Sequence, residues 1–182
     1  MTRIVLHFVT ALLLASGFTA SAAAQQRDHL TQQEVDLVKE AQVLDKRIDV
    51  FIKAAERRLM VINGSAGANA KQLKKDSERW GELPAGSRAE LVSDIARILD
   101  EAITNIDDVS SRDERNPLIP KSLRKLAQSV NTIMTQLKPL SAEAKSDAEV
   151  ASFELLNEDA QSILEAAIKL PPEVDKKAKK GQ

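Results

Sequence analysis

Apolar residues recur along this chain in steps of three and four, the spacing that gathers side chains on one face of a helix. The first run is Leu37, Ala41, Leu44, Ile48, Phe51 and Ala55. Its steps alternate four and three, the 3.5-residue repeat of helices packed nearly parallel, as in coiled coils. Leu59 and Ile62 extend the face. Thr31-Gln32-Gln33-Glu34 opens it as a capping box, with Leu30 and Val35 placed as a hydrophobic staple. Asn63-Gly64 closes it with residues that tolerate the left-handed conformation. One helix from Thr31 to Ile62 would be roughly 46 Å long at 1.5 Å per residue. Glu34 and Asp36 near its start and Arg57 and Arg58 near its end suit the helix dipole.

Three more helices follow. Ser87-Arg88-Ala89-Glu90 is a second capping box, leading into Leu91, Ile95, Ile98, Ala102, Ile106 and Val109. The third has Pro120 in its first turn and a seam of Leu123, Leu126, Val130, Ile133 and Leu137. Pro139 ends or kinks it, because the residue before a proline is pushed out of helical geometry. Ser141 is placed to cap the fourth, whose face is Ala148, Ala151, Leu155, Leu156, Ala160, Ile163, Ala167 and Leu170, before Pro171-Pro172. No pattern of period two marks a strand. The pattern predicts an all-α fold: an antiparallel up-down four-helix bundle, helices 1 and 4 long, 2 and 3 shorter.

Two segments break the periodicity. Residues 64–86 are too long for a simple helix connection. Gly64 to Asn69 reads as a hinge, and Lys71 to Arg79 as a short helix. Trp80, the only tryptophan, lies here. It either docks the loop on the bundle or, with Leu83 and Pro84, faces a partner. The turn between helices 2 and 3 has Asp107 and Asp108 on one side and Lys121, Arg124 and Lys125 on the other, each unfavourable for its own helix dipole. Pairing across the hairpin would reconcile them, with Arg112, Asp113, Glu114 and Arg115 nearby. Alternatively this end, with Leu118 and Ile119, is a docking surface.

The N-terminus follows another rule. Arg3, the apolar run Ile4–Ala15 and the small residues Ala22-Ala23-Ala24 form a secretory leader, with Gln25 as the mature start. The working protein is then periplasmic or extracellular, with no stable membrane insertion after cleavage. Taking 24 residues from 182 leaves 158, enough for one domain over 25–172. The leader holds one basic residue and no acid, so the formal charge moves from −1 to −2. That balance argues against nucleic-acid binding. Residues 173–182, with Lys176, Lys177, Lys179 and Lys180, read as a disordered tail.

Chemistry is sparse. The chain has no cysteine, so disulfides and thiolate sites are excluded. Without the leader only His29 remains of the histidines, so no cofactor or metal is expected. His29 is expected in a mobile segment, unsuited to catalysis. Asp94, Glu101 and Asp108, spaced by seven, read as a solvated acidic face. Phe51, Trp80 and Phe153 are the only aromatics after the leader, which argues against aromatic-walled pockets. The expectation is a non-catalytic protein that binds another protein, through Trp80, Leu83, Pro84, Leu118 and Ile119. A second copy of the chain, paired through the helix 1 seam, is one such partner. Leu30-Thr31-Gln32-Gln33-Glu34 also resembles the Leu-Thr-x-x-Gln motif of the small all-helical periplasmic chaperones of the Spy/CpxP type, over five residues, in one copy and with Glu for the final Gln. That resemblance implies an extracytoplasmic chaperone or stress sensor as the alternative.

Overall fold

The protein is described by a computed structural model over residues 28–68 and 70–172. The predicted leader and the predicted tail lie outside the described residues. Six helices and no strand occur among them: α1 Gln32–Glu40, α2 Leu44–Ile62, α3 Ala70–Trp80, α4 Arg88–Arg112, α5 Leu118–Ala142 and α6 Asp147–Ile168. None is long and apolar enough to cross a membrane.

Both predicted capping boxes form. Thr31 and Ser87 each accept from the amide three residues on, and Glu34 and Glu90 each reach back to the cap amide. The predicted long first helix is instead two, and the helices predicted to be shorter, α4 and α5, are the longest among the described residues at 25 residues each. The predicted first helix breaks at Ala41, where the backbone leaves helical geometry (ψ 81°). Arg47 holds the break: its Nε donates to the Ala41 carbonyl at 2.9 Å, and its Nη1 donates to Asn105 of α4 at 3.0 Å. The predicted Lys71–Arg79 helix is α3, ended by Gly81 at φ +66°, the left-handed residue of a helix C-terminus.

Pro139 lies inside α5, which runs on to Ala142, so of the two expectations the proline does not end this helix. The cap of α6 does differ from prediction. Ser146, not Ser141, caps α6, accepting from the Glu149 amide at 3.2 Å. The α6 face differs only in its first half: Phe153 is buried while Ala148, Ala151 and Leu155 are exposed, and Leu156, Ala160 and Ile163 are buried as predicted.

The core is formed by α2, α4, α5 and α6. Contacts between their side chains fix the directions. Arg47–Asn105 and Arg58–Asp94 run α2 against α4. Lys121–Asp45 and Lys125–Asp49, both at 2.6 Å, run α5 alongside α2. Arg88–Glu149 sets α6 alongside α4, and Arg124 donating to the Pro171 carbonyl sets it against α5. Around the core the order is therefore α2, α4, α6, α5. No Cα of α2 comes within 8 Å of one in α6.

This order explains the failure of the predicted hairpin pairing. Lys121 and Lys125 face Asp45 and Asp49 on α2 rather than Asp107 and Asp108 on α4. Asp108 pairs instead with Arg112 on its own helix, at 3.8 Å. The Asp45 carboxyl is held below its usual range by the Lys121 hydrogen bond. The α2 seam expected to be free for a second copy is covered within the chain: Leu44, Ile48, Phe51 and Ala55 are all buried. Helices α1 and α3 stay outside this core, α1 against α2 and α3 against α1.

Candidate interaction site

The outer helices are attached by charge. Glu34 of α1, Arg57 and Arg58 of α2, and Asp94 of α4 are each at most 4% exposed. Glu34 receives Arg58 in a two-pronged pair, from Nη1 at 2.9 Å and Nη2 at 2.8 Å. Arg57 Nε lies 3.3 Å from the same carboxylate, and Arg58 Nε lies 3.7 Å from Asp94. The cluster balances two positive charges with two negative ones. Burying charge is costly, and only near-ideal geometry with further hydrogen bonds compensates.

Those further bonds reach the flanking segments. Arg58 donates to the carbonyls of Ala54 and His29. Arg57 Nη2 donates to the carbonyls of Trp80, Gly81 and Glu82, the end of α3 where carbonyls lack helical partners. The Arg57 guanidinium sits 5.7 Å from the Trp80 ring centre, in cation–π range. Burial pushes the Arg57 guanidinium below its ordinary pKa, and Glu34 opposes that shift. Lys53 adds a pair to Asp76 of α3 at 3.5 Å.

Above this cluster lies a groove of about 570 Å³. It follows the α1–α2 break. Its apolar wall is Leu37, Ala41, Val43, Val50 and Trp80; Glu40, Lys46, Asp49 and Arg79 rim it. Val43 is 50% exposed, the most exposed large apolar side chain after Ile168 among the described residues. The residues of the break, Ala41, Gln42 and Val43, line the groove together with Trp80. The same rim continues beside α1 to Asp36 and Glu78.

Of the residues singled out from sequence, Trp80 lines this groove, half-buried, and so it both docks the loop and keeps an open edge. Leu83 is half-buried and Pro84 buried just beyond it. Leu118 and Ile119 are half-buried against the core in the first turn of α5 and do not line the groove. The two predicted partner sites are thus separate places.

His29 is not in a mobile segment: its carbonyl is tied to Arg58 and its Nε2 lies 2.8 Å from Glu101. The predicted solvated acidic face is split. Asp94 is buried in the charge cluster, Glu101 meets His29, and only Asp108 is exposed. No three of the described His, Asp or Glu side chains gather as a metal site.

Sequence reasoning missed the charge cluster. Its signal was present. Phe51, Ala55, Arg58 and Ile62 continue the four-three spacing, so Arg58 stands on the buried seam rather than at a solvated helix end. Asp94 likewise stands between Leu91 and Ile98. A charge on a seam position calls for a buried counter-charge. Compared with known proteins, the chain matches no family model, no curated protein and no solved structure.

Proposed function

We propose that the protein is a non-catalytic interaction module, working in the periplasm or outside the cell. It binds a segment of another protein in the Trp80 groove. Its scaffold in this reading is an up-down-up-down four-helix bundle, with α1 and α3 added to build the groove. The observation that carries the proposal is the pairing of an apolar wall, including exposed Val43 and the open edge of Trp80, with rim charges of both signs. Aromatic anchors in rigid clefts, ringed by polar groups, are the usual centres of protein recognition.

The large apolar side chains that are exposed among the described residues are Val43, Val150, Leu155 and Ile168. They are scattered, whereas a chaperone for many clients needs a contiguous apolar surface of some hundreds of Å². One specific partner is therefore favoured over the chaperone reading.

The test is cross-linking and pull-down from the native compartment, with the chain expressed behind its own leader. Val43→Asp is the control, because Val43 is exposed and its change leaves the core intact. One stoichiometric partner, lost in Val43→Asp, is expected. Recovery of many unrelated clients, or of the same partner with Val43→Asp, would overturn the reading.

A further inference from the structure

A second cleft, of about 380 Å³, lies between α5 and α6, lined on separate helices from the Trp80 groove. Its floor is aliphatic with one aromatic: Met134 and Leu137 from α5, Phe153 and Leu156 from α6. Leu137, Phe153 and Leu156 are buried core residues, so the floor is rigid; Met134 is half-buried and adaptable. Composition argued against pockets walled by aromatics. This one is walled mainly by Leu and Met.

Pro139 marks the same place. It sits inside α5 and has no amide hydrogen to give the carbonyl four residues back, which belongs to Thr135 on the cleft wall. Proline in a helix interior also displaces that carbonyl and bends the helix. The cleft opens along this part of α5.

The charge of the lining is one-sided. Lys138 is the single charged residue in it, and the remaining polar groups are neutral amides and hydroxyls. Lys138 has no ion pair among the described residues. The Trp80 groove, by contrast, carries Glu40 and Asp49 as well as Lys46 and Arg79. A cleft with an apolar floor and one cation on its rim complements a molecule with an apolar body and one anionic end. Its volume is at the lower end of small-molecule sites, about 300–1,000 Å³.

We propose that this cleft binds a free acyl carboxylate of medium length. The chain lies along Met134, Leu137, Phe153 and Leu156, and the carboxylate meets the Lys138 ammonium. Binding is non-covalent and weak, with Kd about 1 mM, as expected for a small ligand with a single charge contact.

The chain offers a direct probe. Its methionines are Met1, Met60 and Met134, and Met60 lines a different surface beside Asn63 and Gln136. The full chain, labelled with methyl-13C methionine, is titrated with decanoate below its micelle concentration and followed by NMR. Met134 should shift and saturate while Met60 stays still. Decanol and decyltrimethylammonium should bind more weakly than decanoate. Lys138→Gln should weaken decanoate about threefold, the scale of one exposed ion pair. Asn157→Trp, which fills the cleft from an exposed rim position, should abolish the Met134 response while circular dichroism stays unchanged.

Equal movement of Met60 and Met134 would mean general detergent binding and overturn the proposal. So would a still Met134 at about 5 mM decanoate, well above the affinity set by one charge contact. Equal binding of decanol and decanoate, with Lys138→Gln unchanged, would overturn the carboxylate assignment.

Discussion

The two halves of this molecule are held by opposite means. The core of α2, α4, α5 and α6 is closed by side chains such as Ile48, Phe51, Ile98, Leu126 and Ile163, none of which carries a charge. The flank of α1 and α3 has few buried apolar groups, chiefly Leu30 and Leu37. It is attached instead by Glu34, Arg57, Arg58 and Asp94. Apolar burial is non-directional and tolerates small displacements. A buried ion cluster tolerates few, because each unmatched charge is expensive. The apolar half sets the shape; the charged half fixes where one groove wall stands relative to the other.

Damage to the two halves should therefore look different. The largest effect is expected in the core. Phe51→Ala removes a fully buried aromatic and should cost about 4 kcal/mol, lowering fluorescence-detected and circular-dichroism-detected stability together. Glu34→Gln should cost about 3 kcal/mol, because Arg57 then remains buried without its paired carboxylate and Arg58 keeps only Asp94. Its loss should be local: amide exchange should quicken in α1, α3 and residues 80–84 while α4 and α5 keep their protection.

A smaller effect sharpens the comparison from α6, one of the core helices. Asp159 of α6 is pushed up to about 6 by burial, with Asp100 on the facing helix α4 and neighbouring Glu158 adding to the rise. Its raised folded value means that ionisation opposes folding. Stability should fall as pH rises from about 4 to about 6 and stay lower above. Asp159→Asn should flatten that slope and raise stability at pH 7 by about 1 kcal/mol, a figure reduced for partial solvent screening. Urea melts at pH 4, 6 and 7.5 read this directly. The Asp45 carboxylate works in the other sense: its lowered value adds stability above its unfolded value of 3.8, lost as pH falls through the folded one.

The smallest effects test the order of the helices. Charge reversal of Asp45 together with Lys121 should hurt less than the sum of the single changes, because the pair touches at 2.6 Å. Reversal of Asp108 with Arg124 should be additive, because these residues pair elsewhere, with Arg112 and with the Pro171 carbonyl. The opposite pattern would restore α4 and α5 as side-by-side neighbours.

What could be read from sequence follows the same division. Local rules served well where local forces decide. The Thr31 and Ser87 capping boxes formed, and Ile95, Ile98, Leu126, Val130 and Ile133 are buried as their spacing requires. Residues whose partners are distant in sequence were misread. Ala41-Gln42-Val43 contains no helix breaker; the break is held by Arg47 and by Asn105, 58 residues further on. Glu34 was accounted for by its cap, which concealed its second role with Arg58. Helix order was beyond local periodicity, because each helix shows an apolar face without naming its neighbour. Trp80 carries a signal of its own as the only tryptophan, but the groove that it lines runs along that same unsignalled break.

The most direct measurement uses Trp80, the only tryptophan, as a reporter of the flank, and the circular dichroism of the whole helical fold as a reporter of the core. Both are followed through one urea titration of the wild-type protein and of Glu34→Gln. In Glu34→Gln, Trp80 emission should move to the red at a lower urea concentration than the loss of most helical signal, while the wild-type transitions lie closer together. Coincident transitions in Glu34→Gln, shifted equally or not at all, would contradict a groove wall held in place by buried charge.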